Sequence, residues 1–320
     1  VARHLKPQAA FELFYRFGPR DFRSIGHKAI YVMCAQRVLS LTGWQHAEPV
    51  LRGLAYALLM HEDGNPAKRD AEADRPWREN QKRIAEVPGK WSAGKPDPAA
   101  VARLLGVLRT GSHDDVAAAV VDDLRRGVAP QSIWDAVFCG AAELQLRRPN
   151  IVSLHAATTT RAIHYAFRTS RVDDTRRLLL LQNASLLPMF RDAAASRGRL
   201  ADAPIEELEP IEPKAASDPK AVAGIVEQFG GDRRRAAGMI LGYLQRGGDP
   251  GPLTAEARRL LFHKGDGVHD FKFASAVLED FDYVSPDWRA RYLAAAAMHL
   301  CGPDERENPL VGRTRRALGG

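Results

Sequence analysis

His269 and Lys272 stand three residues apart in the stretch Gly267-Val268-His269-Asp270-Phe271-Lys272. On a helix that spacing sends both side chains from one face. The same face continues through Phe273, Ala276 and Val277, an inward-looking apolar stripe. A buried ammonium is costly unless it is paired or neutralised. A lysine heading such a stripe therefore either snorkels to water along its apolar stem or has a partner. Beside an imidazole, the side chain most used for holding metals, the second possibility carries chemistry.

The chain has ten histidines. His4, His113 and His263 sit in polar or terminal surroundings. His27, His46, His155, His269 and His299 lie on apolar helical stripes, and His61 and His164 are intermediate. One stripe histidine reads as a hydrogen-bonded core residue. Several in one helical chain point to a metal site built from side chains on different helices. No local HExxH pair is present, so such a site has to be assembled from distant segments. His46 and His61 would lie roughly 22 Å apart along one helix, so at most one of them can join a given metal. His155 and His164 are nine residues apart, close to half a turn out of phase, and cannot both face one site.

The elements that must position these residues read as helices throughout, and no segment alternates as a strand. The expected fold is all-α, a multi-helix bundle or paired-helix array. Phe11 to Tyr15 ends at Gly18-Pro19, and Asp21 caps a helix to Ser40 with the stripe Ile25, Gly26, His27, Ile30, Tyr31 and Cys34. His46 to His61 follows, with Pro49 in its first turn. Residues 62–98 are polar and loop-like, tethered by Trp77 and Trp91 around one short helix near Arg78 to Ala85. Helices then run from Pro98 to Arg109, after Asp114 to Arg126, and from Pro130 with Ile133, Val137, Ala141 and Leu144 inward. The helix opened by Pro149-Asn150 is the most polar of the buried ones, with His155, Thr158, Thr159 and Ala162 on one face. Arg176 to Arg191 sets Gln182 and Asn183 in Leu-rich sequence. A Pro/Glu/Ala-rich crossing at 203–218 precedes the pair Ala221–Phe229 and Asp232–Gln245, then Thr254 to Phe262, the His269–Lys272 helix and a last one from Ser285 to Leu300.

At 320 residues, the chain divides into an N-terminal half at 1–202, a crossing at 203–218, a C-terminal half at 219–302 and a loosely ordered tail at 303–320, as one large domain or two closely packed halves. With 45% hydrophobic and 27% charged residues the composition is that of a soluble globular protein. The net charge of +7 draws on clusters at Arg233-Arg234-Arg235 and Arg313 to Arg316, read as solvated helix faces. They lack the aromatic interleaving of a nucleic-acid surface. Cys34, Cys139 and Cys301 are far apart and read as reduced core residues. No apolar run reaches membrane-spanning length. No signal-peptide pattern opens the chain, although it starts at Val1 without a Met and an upstream segment has room to exist. The expected setting is cytoplasmic, with neither nucleic acid nor membrane as partner.

Three segments follow one another in a familiar order: Gly26-His27-Lys28-Ala29-Ile30-Tyr31, Leu154-His155-Ala156-Ala157-Thr158, and Val268-His269-Asp270-Phe271-Lys272. In this the chain resembles the questin oxidase-like family, all-helical proteins that include fungal enzymes opening anthraquinone-type rings. The resemblance implies a mononuclear non-haem iron site with His27, His155 and His269 as ligands, and Lys272 as a lysine able to take up carbon dioxide. Where family members carry further histidines this chain has Tyr31 and Thr160-Arg161, so His46 is the expected fourth nitrogen, with His164 behind it. A carbamate on Lys272 would turn a cation into an anionic oxygen ligand.

Two functions from different classes follow. In the first, the chain is an oxidoreductase or oxygenase holding Fe(II), or another first-row divalent metal, and acting with dioxygen on a small aromatic or quinone-like substrate. An open coordination position is then required, and Tyr31, Thr158 and Thr159 orient the imidazoles and the oxygen by hydrogen bonds. The segment 62–98 covers the pocket. No dinucleotide fingerprint is present, so the reductant comes from outside. In the second, the chain is a non-catalytic helical scaffold whose stripe histidines are satisfied by Thr158, Thr159, Gln182 and Asn183. Haem on one axial histidine is a third reading, for which the sequence offers no attachment motif.

Overall fold

The computed structural model describes residues 6–60, 64–214 and 218–319; His4 and His61 lie outside them. Among the described residues every regular element is a helix, and the only strand-like pairing is an isolated bridge between Lys95 and Val128. The chain divides into two compact units, one of residues 1–140 and 158–196 and the other of 141–157 and 197–320. Where the sequence suggested a continuous N-terminal half at 1–202, the segment 141–157, His155 included, groups with the C-terminal residues.

The first unit holds α1 (Pro7–Phe17), α2 (His27–Thr42), α3 (Ala47–Leu59), α4 (Arg75–Arg83), α5 (Pro98–Thr110) and α6 (His113–Arg125). It also takes the start of α7 (Pro130–Arg147), the later turns of α8 (Ile151–Thr169) and all of α9 (Asp173–Ala195). Helix α9 is its axis. Leu178 to Leu181 are fully buried, and α1, α4, α5 and α6 all pack on it. The N-termini carry the expected chemistry: Asp97 accepts the Ala99 N–H, and Ser112 with Asp115 forms a capping box, so Ser112 rather than Asp114 starts α6.

Three expectations in this unit are corrected. Helix α2 begins at His27, not after Asp21, because Ile25 and Gly26 both have positive φ and turn the chain there. The buried face of α2 is then Lys28, Ala29, Ile30, Val32 and Leu39, while Tyr31 and Cys34 are exposed. The segment after residue 63 is not a loose cover. Trp77 donates to the Arg16 carbonyl at 2.9 Å and Trp91 to Asp173 at 2.9 Å. From α4, buried Asn80 donates to Gln182 and Ser185 of α9, so buried anchors tie this segment to the core of the unit.

The second unit contains the end of α7, the start of α8, then α10 (Asp218–Val226), α11 (Arg233–Gln245), α12 (Pro250–Lys264), α13 (Val268–Asp280), α14 (Pro286–Ala296) and α15 (Pro309–Ala317). Helix α11 packs on α14, and α12 on α10 and α13. The described part of the crossing, 203–214, is pinned: Ile205 is fully buried with its N–H on Glu143, and the Ile211 N–H meets the Gly238 carbonyl at 2.8 Å. The arginines opening α11 are not simply solvated. Arg233 donates to the carbonyls of Phe229 and Met298, and Arg234 to that of Leu146. The tail carries α15, an ordered helix with no buried residue.

Candidate metal centre

In the second unit, α13 starts where the Asp270 carboxylate accepts the Gly267 and Asp266 N–H groups. His269 and Lys272 lie on its first turns, and Phe273, Ala276 and Val277 bury the continuation of their face as the spacing predicts. Lys272 does not snorkel. Its Nζ lies 2.7 Å from His155 Nε2. His155 is fully buried, and its Nδ1 stands 2.6 Å from the Ile151 carbonyl. A carbonyl can only accept, so Nδ1 carries the proton and Nε2 the lone pair. The His269 ring meets the His155 ring edge-on with centroids 5.2 Å apart. Burial, and then the Lys272 charge, push the His269 pKa below the usual histidine range, with Asp270 opposing. This favours the neutral ring, the form that ligates metals.

In the first unit, His27 is the first residue of α2. Its Nδ1 lies 2.7 Å from the Ser24 carbonyl, so this ring too holds its lone pair on Nε2. Gly26, with φ +82°, sits against Thr159, and a Cβ there would overlap the Thr159 hydroxyl. Ile25 adopts φ +42°. For a β-branched residue this is an outlier costing on the order of 1–3 kcal/mol. Thr159 is fully buried, and its Oγ1 finds no hydrogen-bond partner among the described residues. Buried hydroxyls are rarely left so. Thr159 follows His155 by one turn of α8.

The other predicted residues fall differently. Tyr31 is 43% exposed, its ring tilted 5.8 Å from that of His27, so it borders water rather than lying in the interior. Thr158 is buried on α8. His46 ends a 3-10 turn, Trp44–His46, and is exposed. Among the described residues it joins no group of side chains that could hold an ion. His164 is buried and enclosed by Trp134, Phe138 and Phe167, and half-buried His299 packs on Phe273. Gln182 and Asn183 serve Pro19, Asn80 and Thr160 rather than a histidine. Ser24 as the acceptor for His27, and the positive φ of Ile25, escaped the sequence reading. The visible signal was Gly26 directly before a histidine.

No protein-family model matches the chain, and neither a curated protein nor a solved structure matches it.

Proposed function

We propose that the chain is a metal-dependent oxidoreductase, an oxygenase of the questin oxidase-like kind, with His27, His155 and His269 as ligands to Fe(II) or another first-row divalent metal. The observation that carries the reading is the shared tautomer. His27 and His155 each give Nδ1–H to a main-chain carbonyl and keep Nε2 as donor atom, the arrangement by which proteins orient metal-binding imidazoles. Supporting it, the His155 and His269 rings meet within the second unit, their centroids 5.2 Å apart. Imidazole donors suit iron, zinc, copper and nickel alike.

When bound, the metal supplies Lewis acidity and, if it is iron, one-electron chemistry with dioxygen. The chain's own residues do the rest. Ser24 and Ile151 hold the imidazole tautomers. The Thr159 hydroxyl stands ready to donate a hydrogen bond, and the exposed Tyr31 ring borders the approach to His27. Lys272 shares the lone pair of His155, so an ammonium there competes with a metal. Reaction of its neutral amine with carbon dioxide, releasing one proton, replaces that cation by an anionic oxygen donor. The substrate is a small organic molecule of aromatic or quinone-like type and the setting is cytoplasmic. No helix among the described residues is long and apolar enough to cross a membrane.

Elemental analysis of protein purified without a histidine tag or chelator tests the reading. Near one equivalent of a first-row metal, or its uptake under anaerobic Fe(II), is the expected result. A chain that takes up none is the helical scaffold, with Lys272 and His155 as a structural hydrogen bond.

A further inference from the structure

We infer that the strained turn at residues 24–26, held in its left-handed conformation by the residues around it, is a positioning device for His27. The inference rests on the metal reading above for its purpose, but its geometry lies wholly within the first unit.

The Ser24 carbonyl accepts twice from His27, from the backbone N–H at 3.0 Å and from ring Nδ1 at 2.7 Å. That carbonyl belongs to the Ser24–Ile25 peptide plane, whose orientation depends on φ of Ile25. At φ +42° the oxygen faces the imidazole. At the negative φ an isoleucine prefers, the plane rotates and the ring loses its acceptor. The unfavourable dihedral is therefore what fixes which His27 nitrogen carries the proton and where the other one points. Backbone strain persists only when its surroundings over-determine it, and here they do. Buried Lys28 pairs with buried Asp21 at 2.7 Å, and Arg23 makes a two-pronged contact with buried Asp74 at 2.9 and 2.7 Å. Asp21 also accepts the Arg23 N–H. The Phe22 N–H meets the Ala73 carbonyl at 3.2 Å, and the Phe22 ring packs edge-on against Phe190 at 4.8 Å. Behind the turn, Thr159 leaves room only for glycine at 26. Two ion pairs, a ring contact and a steric wall thus hold one short turn, and what leaves it is a ligand histidine.

The test compares Gly26→Ala, whose Cβ would overlap the Thr159 hydroxyl and force the turn to shift, with Ile25→Gly, which adopts positive φ without strain. Two readouts are taken on the full chain. Long-range proton–nitrogen NMR of labelled histidines reports the His27 tautomer without any metal, the signal being assigned by its loss in His27→Gln. Titration with Co(II), followed by its visible absorption, reports affinity. The expected result is one Nδ1–H tautomer in the wild type and in Ile25→Gly, with Co(II) affinities within about threefold. Gly26→Ala should show mixed tautomers and roughly tenfold weaker Co(II) binding, at unchanged helix content. A single Nδ1–H tautomer in Gly26→Ala, with wild-type affinity, overturns the inference and leaves the metal reading standing. A wild type with the stated tautomer pattern but no Co(II) uptake removes the metal reading while the turn keeps its role as a device that orients His27.

Discussion

His155 has both ring nitrogens engaged, Nδ1 on the Ile151 carbonyl and Nε2 at Lys272, and it has no exposed surface. Its substitution separates ligation from folding. His155→Ala is expected to abolish metal uptake with helix content intact, as read by elemental analysis and far-ultraviolet circular dichroism. A full metal complement in that variant would remove His155 from the ligand set. Lys272 answers a different question. If a carbamate forms on Nζ, bicarbonate raises metal occupancy in the wild type, and Lys272→Ala shows lower occupancy with no bicarbonate response. If the lysine acts only as a competing ammonium, Lys272→Ala binds metal more tightly than the wild type, and the carbamate idea fails. At this scale, spacing read well wherever a regular helix carried the residue: His155 and the His269–Lys272 pair sit as the helical period placed them. It failed at His46 and Tyr31 because a 3-10 turn and a left-handed turn reset the phase. Periodicity cannot see such a reset.

Helix α4 shows what decides whether a polar segment is core or cover. Its surroundings are charged, and hydropathy alone read residues 62–98 as a loop over a pocket. Asn80 is buried nonetheless, and its amide donates to Gln182 at 3.0 Å and to Ser185 at 3.1 Å. Removing a donor to buried acceptors costs on the order of 1–3 kcal/mol. Asn80→Ala is therefore expected to lower unfolding free energy by roughly 2 kcal/mol in urea titration, with metal uptake unchanged in the folded protein. A cover segment would show the opposite pattern, unchanged stability and altered access. The same physics explains which elements could be read in advance. Helices α5, α7, α8, α9, α11 and α13 announce themselves by apolar period and by caps such as Asp97 and Asp232. The arginines of α11 looked like a solvated run. Their guanidinium groups instead close main-chain carbonyls across the unit, a role set by tertiary neighbours and not by local sequence.

Buried His164 and half-buried His299 contribute to how the chain responds to acid. His164 sits among Trp134, Phe138 and Phe167. Burial first, then Arg168 and Arg161, hold its pKa down to about 3. His299 is held down to about 4 by burial and by Arg233, against Asp270. Unfolded, each titrates at about 6.5. Between those values the unfolded chain binds protons that the folded chain refuses, so stability rises with pH across that window and is flat above it. The contribution is present above about pH 6.5 and is lost as pH falls toward 4 and 3. At pH 5 it amounts to about 2 kcal/mol for each histidine, taken as an upper figure, at about 1.4 kcal/mol per pH unit. Urea unfolding at pH 5, 6, 7 and 8 should therefore show equal stability at 7 and 8 and a decline below 6.5. His164→Phe, which keeps the ring among its aromatic neighbours, should lose about half of that decline. Equal stability at pH 5 and 7 would mean that neither imidazole is held neutral by the fold. Carboxylates held low by their partners, such as Glu256 beside Arg259, lose their contribution as pH falls from the ordinary carboxylate pKa of about 4 down through their own lowered values. A loss that begins near pH 6.5 is therefore the signature of histidines held neutral by the fold.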